Sequence, residues 1–167
     1  MAKHFIIINP FDSLVKVSDK VSELTKRRML SSPEYCETAL SSFSLTTGAE
    51  EIIRFLARSN SFQAVLVSAY PAEITRLVAN HFGLKYLKIY EKTSFYSSSY
   101  VSAMEEFGKP EDDTAVITGH YGEVDEALET GLTPIFFSES KRSYKSGCIN
   151  AKNMTDVLEG LGLHLHK

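Results

Sequence analysis

Near the amino terminus, Phe5-Ile6-Ile7-Ile8 runs without a polar break into Asn9-Pro10 and the short loop Phe11-Asp12-Ser13-Leu14. An apolar run of this length with no alternation fits a strand covered on both faces, as in a parallel sheet. The carboxyl end of such a strand is where open α/β sheets hold their ligands. One stretch therefore sets both an expected fold and an expected site.

The remaining apolar segments alternate between strand and helix periods. Val17 to Leu30 is expected to be helical, with Ser18 and Asp19 at its start. Pro33 suits the first turn of a second helix running toward Phe43. Residues 16–46 are thus expected as a small helical, cap-like insert within one domain spanning 1–167. Ile52, Ile53, Leu56 and Ala57 form the inner face of a helix opened by Thr47-Gly48. Strands are expected at Ala64–Ser68, Tyr86–Tyr90, Thr114–Thr118 and Pro134–Phe137. Helices are expected at Pro71–Phe82, Tyr100–Phe107, Glu123–Thr130 and Met154–Leu161, with a polar tract over Glu91–Ser99 and a polar loop over Ser138–Ser146. This alternation predicts a three-layer, Rossmann-like parallel sheet with helices on both faces and right-handed crossovers.

Charge narrows the partners. A net charge of −3 and a pI near 6.0 give no electrostatic reason to expect nucleic acid. The one basic cluster, Lys26-Arg27-Arg28, is explained by a solvated helix face. No apolar stretch approaches the ~20 residues of a membrane span. No signal peptide precedes the first strand, so a cytoplasmic location is expected. Cys36 and Cys148 lack Cys-x-x-Cys spacing and read as free thiols. His164 and His166 fall in the tail, where fraying outweighs function. Glycine-rich dinucleotide and P-loop signatures are missing, as are Gly-x-Ser-x-Gly and His-Glu-x-x-His.

The succession of elements resembles the haloacid dehalogenase superfamily of phosphohydrolases. Asn9-Pro10-Phe11-Asp12-Ser13-Leu14 corresponds to that family's first motif, a buried strand followed by Asp-x-Asp-x-Thr/Ser-Leu. Val65-Leu66-Val67-Ser68 matches the second, a strand ending in a hydroxyl. Val116-Ile117-Thr118-Gly119-His120, with Glu123 after it, resembles the fourth, where a strand ends in Gly-Asp and a second acid follows. The third-motif lysine falls near Ser94, with Lys92 as a stand-in. The departures lie on the catalytic positions. The resemblance implies an aspartate nucleophile where Asn9 offers a neutral amide. It implies an acid/base aspartate where Phe11 has a phenyl ring. It places Asp12 where the family usually has glycine, and His120 where an aspartate helps hold magnesium, an ion that prefers oxygen ligands. Deamidation of Asn9 is an unfavourable rescue because Pro10 has no backbone N–H to attack.

The reading that follows is a catalytically degenerate protein of this fold with a binding, regulatory or structural role. Asn9, Ser68, Lys92 and loop N–H groups are its expected contacts to a small anionic ligand, with a protein partner the other option. Ser68 equally suits a cap for the next helix, and Asn9 a turn residue bonding the loop backbone. His120 and Glu123 are weak metal candidates, and His120 also reads as structural. A second hypothesis is a hydrolase with a rearranged site using Asp12, Glu123 and Lys92, with Mg²⁺ required only in that case. A third is a flavodoxin-like small-ligand module that shares topology alone. The discriminating expectation is geometric: Asn9, Ser68 and Gly119-His120 must meet at one end of the sheet.

Overall fold

The computed structural model describes residues 4–58, 62–84, 87–91, 96–138 and 147–162. Its centre is β1 (Phe5–Ile8), whose four side chains are fully buried. At roughly 1.5–3 kcal/mol for each large apolar side chain removed from water, this strand alone anchors much of the core. Alternation splits it between two layers. Ile6 and Ile8 join one core cluster and Phe5 and Ile7 the other.

β4 (Gln63–Ser68) and β6 (Thr114–Thr118) flank β1 in parallel, pairing Ile8 with Leu66 and with Ile117. β5 (Lys88–Glu91) lies outside β4, and β7 (Thr133–Phe136) and β8 (Ile149–Asn150) continue beyond β6. The six-stranded order is β5-β4-β1-β6-β7-β8, all parallel. Counted along the chain this is the 3-2-1-4-5-6 winding, not the flavodoxin 2-1-3-4-5 order. The flavodoxin-like alternative is corrected on that ground. The winding reverses between β1 and β6, which opens a crevice at their carboxyl ends.

Helices cover both faces. α3 (Ala49–Arg58), α4 (Ala72–His81) and α7 (Met154–Gly160) pack on the Ile6/Ile8 side. α5 (Tyr96–Phe107) and α6 (Tyr121–Glu129) pack on the other. α5 begins four residues before the expected start, inside the tract expected to be polar loop. β8 extends over two residues only, too short to show a period in sequence. Ala57 is exposed and Ala49 takes the inward position on α3.

The insert departs most from expectation. Val17 does not open a helix but closes β2 (Val15–Val17), antiparallel to β3 (Phe43–Leu45). The helix starts later, as α1 (Glu23–Met29), with the Ser22 side chain accepting the Thr25 N–H at 3.2 Å. α2 (Pro33–Thr38) has Pro33 in its first turn as expected, and a 3-10 turn over Leu40–Ser42 leads into β3. Branched Val15 and Val17 favour a pleated surface, and Phe43–Leu45 supplies one. The segment expected as a helical insert therefore holds two helices and a small sheet. Cys36 and Cys148 are both free thiols, and burial raises the Cys36 pKa. No helix among the described residues is long and apolar enough to cross a membrane.

Candidate functional site

Three adjacent strands end at the crevice with a polar residue, and each makes the same local turn. Asn9 follows β1, and its Oδ1 accepts the Phe11 N–H at 3.1 Å. Ser68 ends β4, and its Oγ accepts the Tyr70 N–H at 3.0 Å. Thr118 ends β6, and its Oγ1 accepts the His120 N–H at 3.1 Å. Side chains of this type satisfy backbone donors two residues on and turn the chain out of the sheet. Asn9, Ser68 and Thr118 are all buried. Asn9, Ser68 and Gly119-His120 thus meet at one sheet end, as the sequence required.

Asn9 is held on every side. Its N–H donates to the Ile117 carbonyl at 3.0 Å, and its own carbonyl accepts from Ser13 Oγ at 2.5 Å. Its amide nitrogen donates to Glu123, 2.9 Å from Oε1 and 3.1 Å from Oε2. Glu123, in the first turn of α6, is 6% exposed and also accepts the Thr118 hydroxyl. Asn9 and Thr118 are thus two neutral donors to the buried carboxyl group, and such bonds to an ionised acceptor are charge-assisted.

The loop after Asn9 closes tightly. Leu14 and Val15 donate to the Pro10 carbonyl at 3.0 and 2.8 Å, and Asp12 N–H donates to Val15 at 2.7 Å. This turn puts Asp12 at φ 69°, a left-handed conformation that favours glycine. Its carboxylate faces the crevice, 3.5 Å from His120 Nε2, with both side chains about one-third exposed or less. Gly119 lies under this turn, where a Cβ would stand 3.1 Å from the Asp12 carbonyl carbon, oxygen and Cβ. Phe11 is 4% exposed and meets the Tyr70 ring edge-on at 4.8 Å. Burial first, then the charges of Asp12, Glu123 and Glu23, raise the Tyr70 pKa above its ordinary value. Tyr100 on α5 is raised similarly, by burial and then by Glu123 and Glu126.

The fit to a metal can be tested on these contacts. Mg²⁺ takes oxygen ligands octahedrally at about 2.0–2.1 Å. Asn9 turns nitrogen, not oxygen, toward Glu123, while His120 lies on Asp12. Among the described residues no group of three or more His, Cys, Asp or Glu side chains is placed to hold a metal ion. The residues present do not fit that ion. Lys92, His164 and His166 lie outside the described residues. Sequence reasoning missed Thr118 and Tyr70. Thr118 had a signal, because it ends an apolar run in the same way as Ser68. Tyr70 had none, since its contact with Phe11 crosses from one strand end to the next.

Fold and site together define a three-layer α/β protein whose polar strand ends gather around the β1/β6 crevice. No family model and no curated protein matches the sequence. Its structure is similar to that of a haloacid dehalogenase-superfamily hydrolase from Ehrlichia chaffeensis. That match has a TM-score of 0.71 at 19% identity, over 97% of this chain and 98% of the other. It is also similar to an L-2-haloacid dehalogenase, with a TM-score of 0.66 at 13% identity, over 95% and 99% of the two chains. A predicted phosphatase from Clostridium acetobutylicum gives 0.59 at 16% identity, over 81% and 85%. The chain has the haloacid dehalogenase-like fold.

Proposed function

We propose that this protein keeps the haloacid dehalogenase-like fold without its covalent chemistry, and acts by binding rather than by turnover. The observation that carries this reading is the pair of side chains at the end of β1. Asn9 is a neutral amide already bonded inside the protein, and Phe11 is a phenyl ring buried against Tyr70. An aspartyl-phosphate needs an anionic oxygen at the first position. Protonating the leaving group needs an acid at the second. Neither residue supplies it. The role left to the crevice is recognition, of a small anionic ligand or of a protein partner, in a cytoplasmic setting.

A second reading has its own support. The three similar structures named above are a hydrolase, a dehalogenase and a predicted phosphatase, which favours a working hydrolase. Within it, Asp12 would be the reactive carboxylate, paired with His120 at 3.5 Å, and Lys92 would supply positive charge. Turnover of an aryl phosphate with Mg²⁺ separates the two. The binding reading expects none in the native protein and a measurable rate in N9D/F11D. Native turnover abolished by D12A would establish the hydrolase instead.

A further inference from the structure

Glu123 presents a problem of charge. It is 6% exposed, and removing a carboxylate from water costs several kcal/mol unless partners replace the solvent. The Asn9 amide nitrogen is one of those partners, and it comes from a particular place. It lies between the two carboxylate oxygens, at 2.9 and 3.1 Å, as a cation held bidentately would lie.

The amide cannot be turned round. Its Oδ1 accepts the Phe11 N–H, so reversing the group would set N–H against N–H and oxygen against carboxylate. Nor is there slack for Asn9 to swing aside. Its backbone is bonded to Ile117 and Ser13, and the loop beyond it passes so close to Gly119 that a Cβ there would stand 3.1 Å from Asp12. Conversion to aspartate through attack by the next N–H is closed, because residue 10 is proline.

We infer that the Asn9 side-chain amide is a built-in substitute for a divalent cation, and that it makes this site metal-independent. The inference rests on the binding reading above and adds what holds the site's acid in place. It also states what one atom exchange would do. In N9D, two carboxylates would face each other across about 3 Å, and like charges that close must share a proton or take up a cation.

The test is Mn²⁺ binding, followed by electron paramagnetic resonance of the free ion and by thermal shift. Wild type, E123Q, N9D and N9D/E123Q are compared. Wild type should show no binding that E123Q removes. N9D should bind at least about tenfold tighter than wild type, with an ion-dependent rise in Tm that N9D/E123Q lacks. Glu123-dependent binding in wild type overturns the inference, as does an N9D protein that binds no better than N9D/E123Q. If N9D fails to fold with or without the ion, the wild-type side-chain amide resonances of Asn9 decide. Signals left sharp by Mn²⁺ uphold it, and broadening that disappears in E123Q overturns it. Aryl-phosphate turnover without metal would sink the binding reading alone and leave this inference standing.

Discussion

The Asn9–Glu123 contact can be weighed by a double-mutant cycle with N9A, E123A and N9A/E123A. N9A removes the amide's bonds to a carboxylate, and hydrogen bonds to charged groups contribute about 1.5–3 kcal/mol. It also leaves the Phe11 N–H without its Oδ1 acceptor, roughly 0.5–1.5 kcal/mol more. N9A should therefore lose about 2–4.5 kcal/mol, a large part of the roughly 5–15 kcal/mol available to a domain. E123A should cost a similar amount, because it strands the Asn9 amide and the Thr118 hydroxyl in a buried setting. Each single change thus breaks the same bond, so the double variant should fall short of the sum by about 1.5–3 kcal/mol. Equilibrium urea unfolding followed by far-UV circular dichroism measures all four proteins. The chain has 8 tyrosines and no tryptophan, so tyrosine emission gives the second probe needed to check two-state behaviour. Additivity within about 0.5 kcal/mol would refute the view that these two side chains are one energetic unit.

Two further outcomes follow from the same contacts. G119A should lower stability by about 1–3 kcal/mol, since its Cβ would press on the Asp12 backbone at 3.1 Å and that turn is closed by its own hydrogen bonds; an unchanged unfolding midpoint would show that the loop yields freely. For Tyr70, the folded protein holds the phenolic proton more tightly than the unfolded chain, whose ordinary value is 10.0. That contribution is intact below pH 10 and is lost as pH climbs toward the raised folded value, so Tm should fall there and Y70F should flatten the fall. Parallel Tm–pH curves for the two proteins above pH 10 would contradict it.

Much of the fold was legible because burial on both faces leaves an unmistakable local mark. Phe5–Ile8, Val65–Val67 and Ala115–Ile117 each lie between two helical layers, so each reads as a continuous apolar run. Helix ends were marked by chemistry acting over a few residues, such as Ser32 before Pro33, and Gly83 at φ 84° after α4. The strand Val15–Val17 was not legible. Three residues carry too little period to declare themselves, and their partner, Phe43–Leu45, lies beyond two intervening helices.

For the site, sequence by itself determined what the groups are: an amide and a phenyl ring at the end of β1, hydroxyls ending β4 and β6, and an acid at 123. Those identities already bear on which reactions the crevice can run, because protonation and nucleophilicity belong to the side chain. Tertiary structure alone decided what the groups do to one another. Asn9 and Glu123 stand far apart in the chain, and only the parallel pairing of β1 with β6 brings the amide onto the carboxylate. Hydrogen bonding acts over about 3 Å, while sequence separation says nothing about distance once a sheet is wound.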